Sequence, residues 1–170
     1  ILQNPLEKLI KSEYILIDKG DTAIIEFASS SGLKLIDENE RDVNVSNSYG
    51  TGQLILSAIN NGVKKIILSL GGSATIDGGS GILNALGINF FDKKNNIING
   101  NHIIDLNSID TSNFILKKKK IDFILLSDVK NTLLGKKGSV NIFGYQKGLK
   151  KEEKSYYEFY LNSFSKITDK

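Results

Sequence analysis

Residues 64–87 read KKIILSLGGSATIDGGSGILNALG, and the order of residue types in this stretch decides the fold class. Two lysines lead an apolar run, Ile66, Ile67, Leu68 and Leu70, with the length and composition of a buried strand. Five glycines, three hydroxyls and one carboxylate follow within residues 71–81, and ILNALG then reads as a short helix stopped by Gly87. The stretch is therefore a strand, a glycine-rich turn and a helix. In α/β sheets ligands gather at the carboxyl ends of strands, and such a turn offers unpaired backbone N–H groups at the positive end of a helix dipole. Glycine lets the backbone approach a phosphate or carboxylate closely. Ser73 and Thr75 add hydroxyl donors, and Asp77 can hold a cation or accept a proton. No Lys-Ser or Lys-Thr pair follows the glycines, and the spacing of a dinucleotide fingerprint is absent. An anion site is one reading; a purely structural tight turn is the other.

Working outward, element types alternate. YILID (14–18) and TAIIEF (22–27) are strand-like and joined by a short turn at Lys19, Gly20 and Asp21. GTGQLILSAINNG places Leu54, Ile55, Ala58 and Ile59 on one helical face and ends at Asn61-Gly62. After the glycine turn come INFFD (88–92), then KKNNIINGNHIIDLNSID (93–110), whose polar character predicts an excursion with little regular structure. DFILLSD (122–128) reads as another buried strand. From Lys150 onward Tyr157, Tyr160, Leu161, Phe164 and Ile167 recur at helical spacing as a core-facing stripe. Strands alternating with helices predict an α/β domain with a mixed or largely parallel sheet and flanking helices, a single unit over residues 1–170.

Composition narrows the chemistry. At 170 residues and 40% hydrophobic the chain can bury one sizeable core. With no cysteine, disulfides and thiolate metal sites are excluded, and a His-based zinc site or Ser-His-Asp triad would depend wholly on His102. The net charge of +3 is mild, and the lysine run 117–120, without arginine or aromatic interleaving, reads as a solvated turn rather than a nucleic-acid patch. No apolar run approaches the roughly 20 residues that span a bilayer, and no leader-like stretch opens the sequence, so a cytoplasmic location is expected.

Three further segments carry candidate residues. In SDVKNTLLGKKGSVNIFGYQKG (127–148), Asp128 stands at a strand end, where it either meets the glycine turn or caps a bend. Lys136, Lys137 and Lys147 lie in a glycine-broken loop suited either to phosphate oxygens or to solvent. NSYGTGQL (47–54) is another glycine-bearing turn opening a helix, with Ser48 and Thr51 available as caps. Glu26 ends an apolar strand and calls for a partner or a ligand.

Taken together, GGSATIDGGSGILNALG closely resembles the loop of the bacterial glycerate kinase family, which usually reads GGSAT-N-DGG-x-G before a short helix ending ALG. TAIIEFASSSGLKL, NSYGTGQLI, SDVKNTLLG and IFGYQKG resemble further family segments in the same order, so the resemblance covers nearly the whole sequence. It departs where Ile76 stands for the usual Asn, and where Thr132 and Tyr145 stand for prolines. The family's opening strand with its Asp-Ser-(Phe/Tyr)-Lys signature, its glycine- and alanine-rich loop and its T-G-E-G-x-(I/L)-D segment have no counterpart.

The resemblance implies phosphoryl transfer from ATP, with Mg2+, to a hydroxyl of D-glycerate, giving 2-phosphoglycerate. It further implies two α/β domains, one flavodoxin-like and absent here, the other resembling the restriction-endonuclease fold and corresponding to this middle segment. On that basis the turn Gly71, Gly72, Ser73, Ala74 and Thr75, with Gly78 and Gly79, binds substrate or phosphate. Asp77 and Asp128 act as catalytic carboxylates and magnesium ligands, Glu26 with Gly50, Thr51 and Gly52 completes the cleft, and Lys147 neutralises phosphate charge. The alternatives are an anion- or nucleotide-binding domain without turnover of its own, and a structural domain whose glycines only permit tight packing. Apolar surface left by an absent domain makes self-association an expectation.

Overall fold

The computed structural model describes residues 1–98 and 106–168. His102 lies outside them. Its central sheet has four strands in the order β3 (Ile15–Ile17), β4 (Thr22–Glu26), β5 (Lys65–Ser69) and β9 (Asp122–Leu126). β3 pairs antiparallel with β4, while β4, β5 and β9 run parallel, so the sheet is mixed as the alternation of elements predicts. A two-stranded pair, β1 (Leu2–Gln3) with β2 (Leu9–Ile10), precedes it, and β6 (Asn89–Phe91) sits between β7 (Ile97–Ile98) and β8 (Ser108–Asp110) in an antiparallel sheet. The polar stretch 93–110 thus contributes two strands where the sequence reading expects an irregular excursion. Pairing with Phe90, fully buried, overrides its low apolar content.

The connections between parallel strands are helical. Between β4 and β5 lie the single turn α1 (Ala28–Ser31) and α2 (Tyr49–Asn60); after β5 comes α3 (Ser80–Ala85). α2 buries Leu54, Ile55, Ala58 and Ile59 against Ala23, Ile25, Ile66 and Leu68, the residues that alternate onto one face of β4 and β5. Each buried Leu or Ile side chain contributes about 1.5–3 kcal/mol of transfer free energy. A second cluster gathers Ile76, Ile88, Phe90, Val140 and Leu149 around Tyr157, Tyr160, Leu161 and Phe164 of α5 (Lys154–Thr168). This is the aromatic stripe read from the sequence, with α4 (Ser139–Phe143) packed beside it. Phe114 packs against both clusters.

One strand departs from expectation. β9 is exposed along its whole length: Phe123, Ile124, Leu125 and Leu126 show 38–60% of their surface. It is the sheet edge. Among the described residues an apolar run that resembles a central strand here has a neighbour on one side only.

Candidate functional site

The glycine turn begins where β5 ends. Glu26 and Leu126 flank Ser69 in register, so β4 and β9 bracket the strand that delivers Gly71 and Gly72. Strands lie about 4.8 Å apart, placing Glu26 and the loop after β9 on opposite sides of the turn, roughly 10 Å from each other. The turn is pinned on one side by the end of α1 and the residues just after it: Ala74 N–H donates to the Ser31 carbonyl at 2.9 Å and Leu33 N–H to the Gly72 carbonyl at 2.9 Å. Gly71 and Gly72 remain exposed.

Asp77 sits at the opposite end of the turn and is 2% exposed. Its Oδ2 accepts the Ser48 hydroxyl at 2.6 Å, the Ser48 N–H at 2.8 Å and the Gly81 N–H at 3.2 Å. Its Oδ1 accepts the Thr75 hydroxyl at 3.0 Å and the Gly79 N–H at 3.1 Å. Five donors meet the roughly four lone-pair positions of a carboxylate, so this group does not fit a magnesium ligand. It ties the N-terminus of α2 to that of α3, a position where a negative charge is favoured by both helix dipoles. Ser48 is the residue before α2, yet its hydroxyl caps no α2 amide; it serves Asp77 and accepts the Ile82 N–H at 3.1 Å. Thr51, read as a possible cap, instead lies buried on α2, hydrogen-bonded to Ser30 and Ser31 at 2.9 and 2.8 Å. The Tyr160 hydroxyl donates to the Asp77 carbonyl at 2.8 Å, anchoring the turn to α5.

Lys147 is the buried cation of the site, 8% exposed. Its ammonium donates to the Ser73 hydroxyl at 2.7 Å and the Thr75 carbonyl at 2.9 Å. The next residue, Gly148, has φ of +89°, and a Cβ there would stand 2.1 Å from the Arg41 carbonyl, so the chain can turn Lys147 inward only with glycine behind it. Among the described residues no carboxylate lies within ion-pair distance of it. Burial drives its pKa down from 10.5 to about 8, opposed by the negative charge of Asp77.

These groups bound a cavity of about 310 Å³ lined by Ser73, Thr75, Asp77, Gly78, Gly79 and Lys147, together with Phe27, Leu70, Leu133, Ser139 and Leu161. The sequence reading brings the first six together. It missed the apolar wall, because Phe27, Leu70 and Leu133 belong to segments read only for strand or turn character. Glu26, Gly50, Thr51, Gly52 and Asp128 do not line the cavity. Glu26 is exposed at the end of β4, Asp128 is exposed two residues beyond β9, and Gly50 to Gly52 are buried in the first turn of α2. Lys136 and Lys137 are exposed as well. Among the described residues no group of three or more acidic or histidine side chains gathers as a metal site, and no helix is long and apolar enough to cross a membrane. Magnesium, which keeps several waters and takes one or two carboxylates plus phosphate oxygens, fits Asp128 better than Asp77.

In this α/β domain a parallel strand ends in a glycine turn beside a buried ammonium that no carboxylate among the described residues pairs with. The sequence model described as Glycerate kinase family matches residues 1–170. Relatives include a glycerate 2-kinase from Escherichia coli (strain K12), 41% identical over 85% of this chain and 38% of its own length, and a glycerate kinase from Haemophilus influenzae, 38% identical over 98% and 44%. A crystal structure attributed to a glycerate kinase 2 from Salmonella typhimurium LT2 superposes with a TM-score of 0.91 at 35% identity, covering 98% of this chain and 46% of that one. The chain belongs to the glycerate kinase family. It spans about two fifths of the length of these relatives.

Proposed function

We propose that this chain is a single α/β domain forming the middle part of a longer, two-domain ATP-dependent glycerate kinase, which transfers the γ-phosphoryl group to a hydroxyl of D-glycerate and gives 2-phosphoglycerate. The observation that carries the reading is Lys147: a buried ammonium with no carboxylate paired to it among the described residues costs free energy that an anionic ligand offsets. The exposed amides of Gly71 and Gly72, the Ser73 hydroxyl and Lys147 hold the substrate carboxylate or a phosphate. Thr75, Gly78 and Gly79 shape the floor. Asp77 is a positioning residue, keeping the turn and two helix N-termini in place without touching the reacting atoms. Asp128, with Glu26 across the turn, is the carboxylate free to hold magnesium, which would supply charge neutralisation to the nucleotide phosphates. Phosphoryl transfer asks mostly for positioning and charge stabilisation, and this set of amides, hydroxyl and lysine is suited to both.

The test is phosphorus NMR of D-glycerate incubated with ATP and magnesium, run with this chain and with the full-length protein. A 2-phosphate resonance that depends on protein is expected. Because the chain spans less than half of its relatives, binding without turnover is the second reading for the isolated chain; it predicts a phosphate-dependent rise in melting temperature and no product. Absence of product from the full-length protein overturns the assignment of activity.

A further inference from the structure

Ser73 and Lys147 stand in a relation that anion binding does not exhaust. The lysine nitrogen is 2.7 Å from Ser73 Oγ and 2.9 Å from the Thr75 carbonyl. It is buried, and desolvation favours its neutral form. Asp77, the acid whose charge reaches it, has its own oxygens committed to Ser48, Thr75, Gly79 and Gly81. A neutral lysine amine has one lone pair and two N–H bonds. With one N–H held by Thr75, the lone pair is free to accept the Ser73 proton. This arrangement of nucleophile, base and orienting acceptor is the one that activates serine in Ser-Lys enzymes of unrelated folds. Ser73 is only partly buried and forms part of the wall of the 310 Å³ cavity, beside the apolar Phe27, Leu70 and Leu133.

We propose that Ser73 is a nucleophile activated by Lys147 and accepts an acyl group from a small carboxylic ester bound in this cavity. Ser73 Oγ attacks the ester carbonyl carbon while its proton passes to the Lys147 nitrogen. The tetrahedral oxyanion forms beside the new ammonium. Collapse breaks the bond to the alcohol oxygen, Lys147 returns the proton to the departing alkoxide, and an acyl-serine remains. Water then attacks the acyl-serine with Lys147 again as base, releasing the carboxylic acid and restoring Ser73. The sequence needs no oxidant or cofactor, and it does not rest on the phosphoryl-transfer reading.

The experiment treats the whole chain with para-nitrophenyl acetate, following nitrophenolate by stopped-flow absorbance and the modified residue by peptide mass spectrometry. The expected result is a burst of about one nitrophenolate per chain and an acetyl group on Ser73. The acylation rate should climb about tenfold per pH unit and level off above about pH 8, as Lys147 loses its proton. Ser73→Ala, which removes one partly exposed hydroxyl, should fold normally by circular dichroism and lose the burst. Lys147→Arg should lose it too; should that variant not fold, the wild-type pH profile carries the assignment of the base. Acetyl on Lys147 or on surface lysines with Ser73 unmodified, a burst retained in Ser73→Ala, or no burst at all would each overturn the proposal.

Discussion

At the scale of single residues, Lys147 and Asp77 make opposite bargains with burial. Lys147 is held in the folded chain with its pKa below the ordinary value, so the folded state sheds its proton first as pH rises from about 8 towards 10.5. Below that window both states are protonated and the full cost of the buried charge is present; through it the cost is relieved. Stability should therefore rise between about pH 8 and 10, by at most about 3 kcal/mol. Tyr157 and Tyr160 act the other way, because burial first, and then neighbouring negative charge, hold their phenols above the usual range of 10. Their contribution is present below that value and lost above it. Urea unfolding across this range should show a maximum near about pH 10, and Lys147→Met should remove the rise on its acid side. Asp77 is the reverse case, a buried carboxylate with every oxygen served. Asp77→Asn replaces acceptor capacity with an amide that meets only donors, and should cost about 2–4 kcal/mol in urea unfolding. A stability loss under about 0.5 kcal/mol would contradict its role in fastening α2 to α3.

At the scale of elements, the close crossing of α2 and α3 gives the turn its shape. A Cβ on Gly52 would stand 2.5 Å from the Ala85 Cβ and 2.8 Å from the Ile82 carbonyl. Gly52→Ala must separate the helices, and a loss of about 2–3 kcal/mol with weaker phosphate binding is expected by thermal unfolding; an unchanged melting temperature would show that the helices part freely. Much of this was legible in advance. The strand before Gly71, the helix ending at Asn61-Gly62 and the α5 stripe follow from local periodicity, which the packing then respects. Ser73, Thr75, Asp77 and Lys147 were legible as candidates too, but the partners that decide their chemistry were not. Ser48 lies 29 residues from Asp77 and Ser73 lies 74 from Lys147, contacts that no local pattern encodes. β9 misled for a related reason: an apolar run tells what a strand is made of, whereas its place at an edge is a property of the sheet. β7 and β8 were hidden because their pairing comes from Phe90 and not from their own composition.

At the scale of the whole molecule, one row of the central sheet runs Ile15, Ile24, Ile67 and Ile124 in register, with its two outer members 61% and 43% exposed. Phe123 and Leu125 add apolar surface on the opposite face. An edge strand and an open apolar row are association-prone. Ile124→Lys should change stability by less than about 1 kcal/mol, since the lysine stem can cover the same strand surface with its ammonium in water, while lowering the sedimentation coefficient at high protein concentration if copies of the chain associate through this surface. Identical sedimentation of both proteins across concentration would place association elsewhere.

The proposed function requires that the cavity between the glycine turn and Lys147 bind an anion. Calorimetric titration of the chain with D-glycerate, at about pH 7 and again at about pH 9.5, with Lys147→Met alongside, asks this directly. Binding is expected at the lower pH, weakened at least tenfold at the higher one as the ammonium discharges, and absent from Lys147→Met. Equal binding by both proteins, unmoved by pH, would contradict the account.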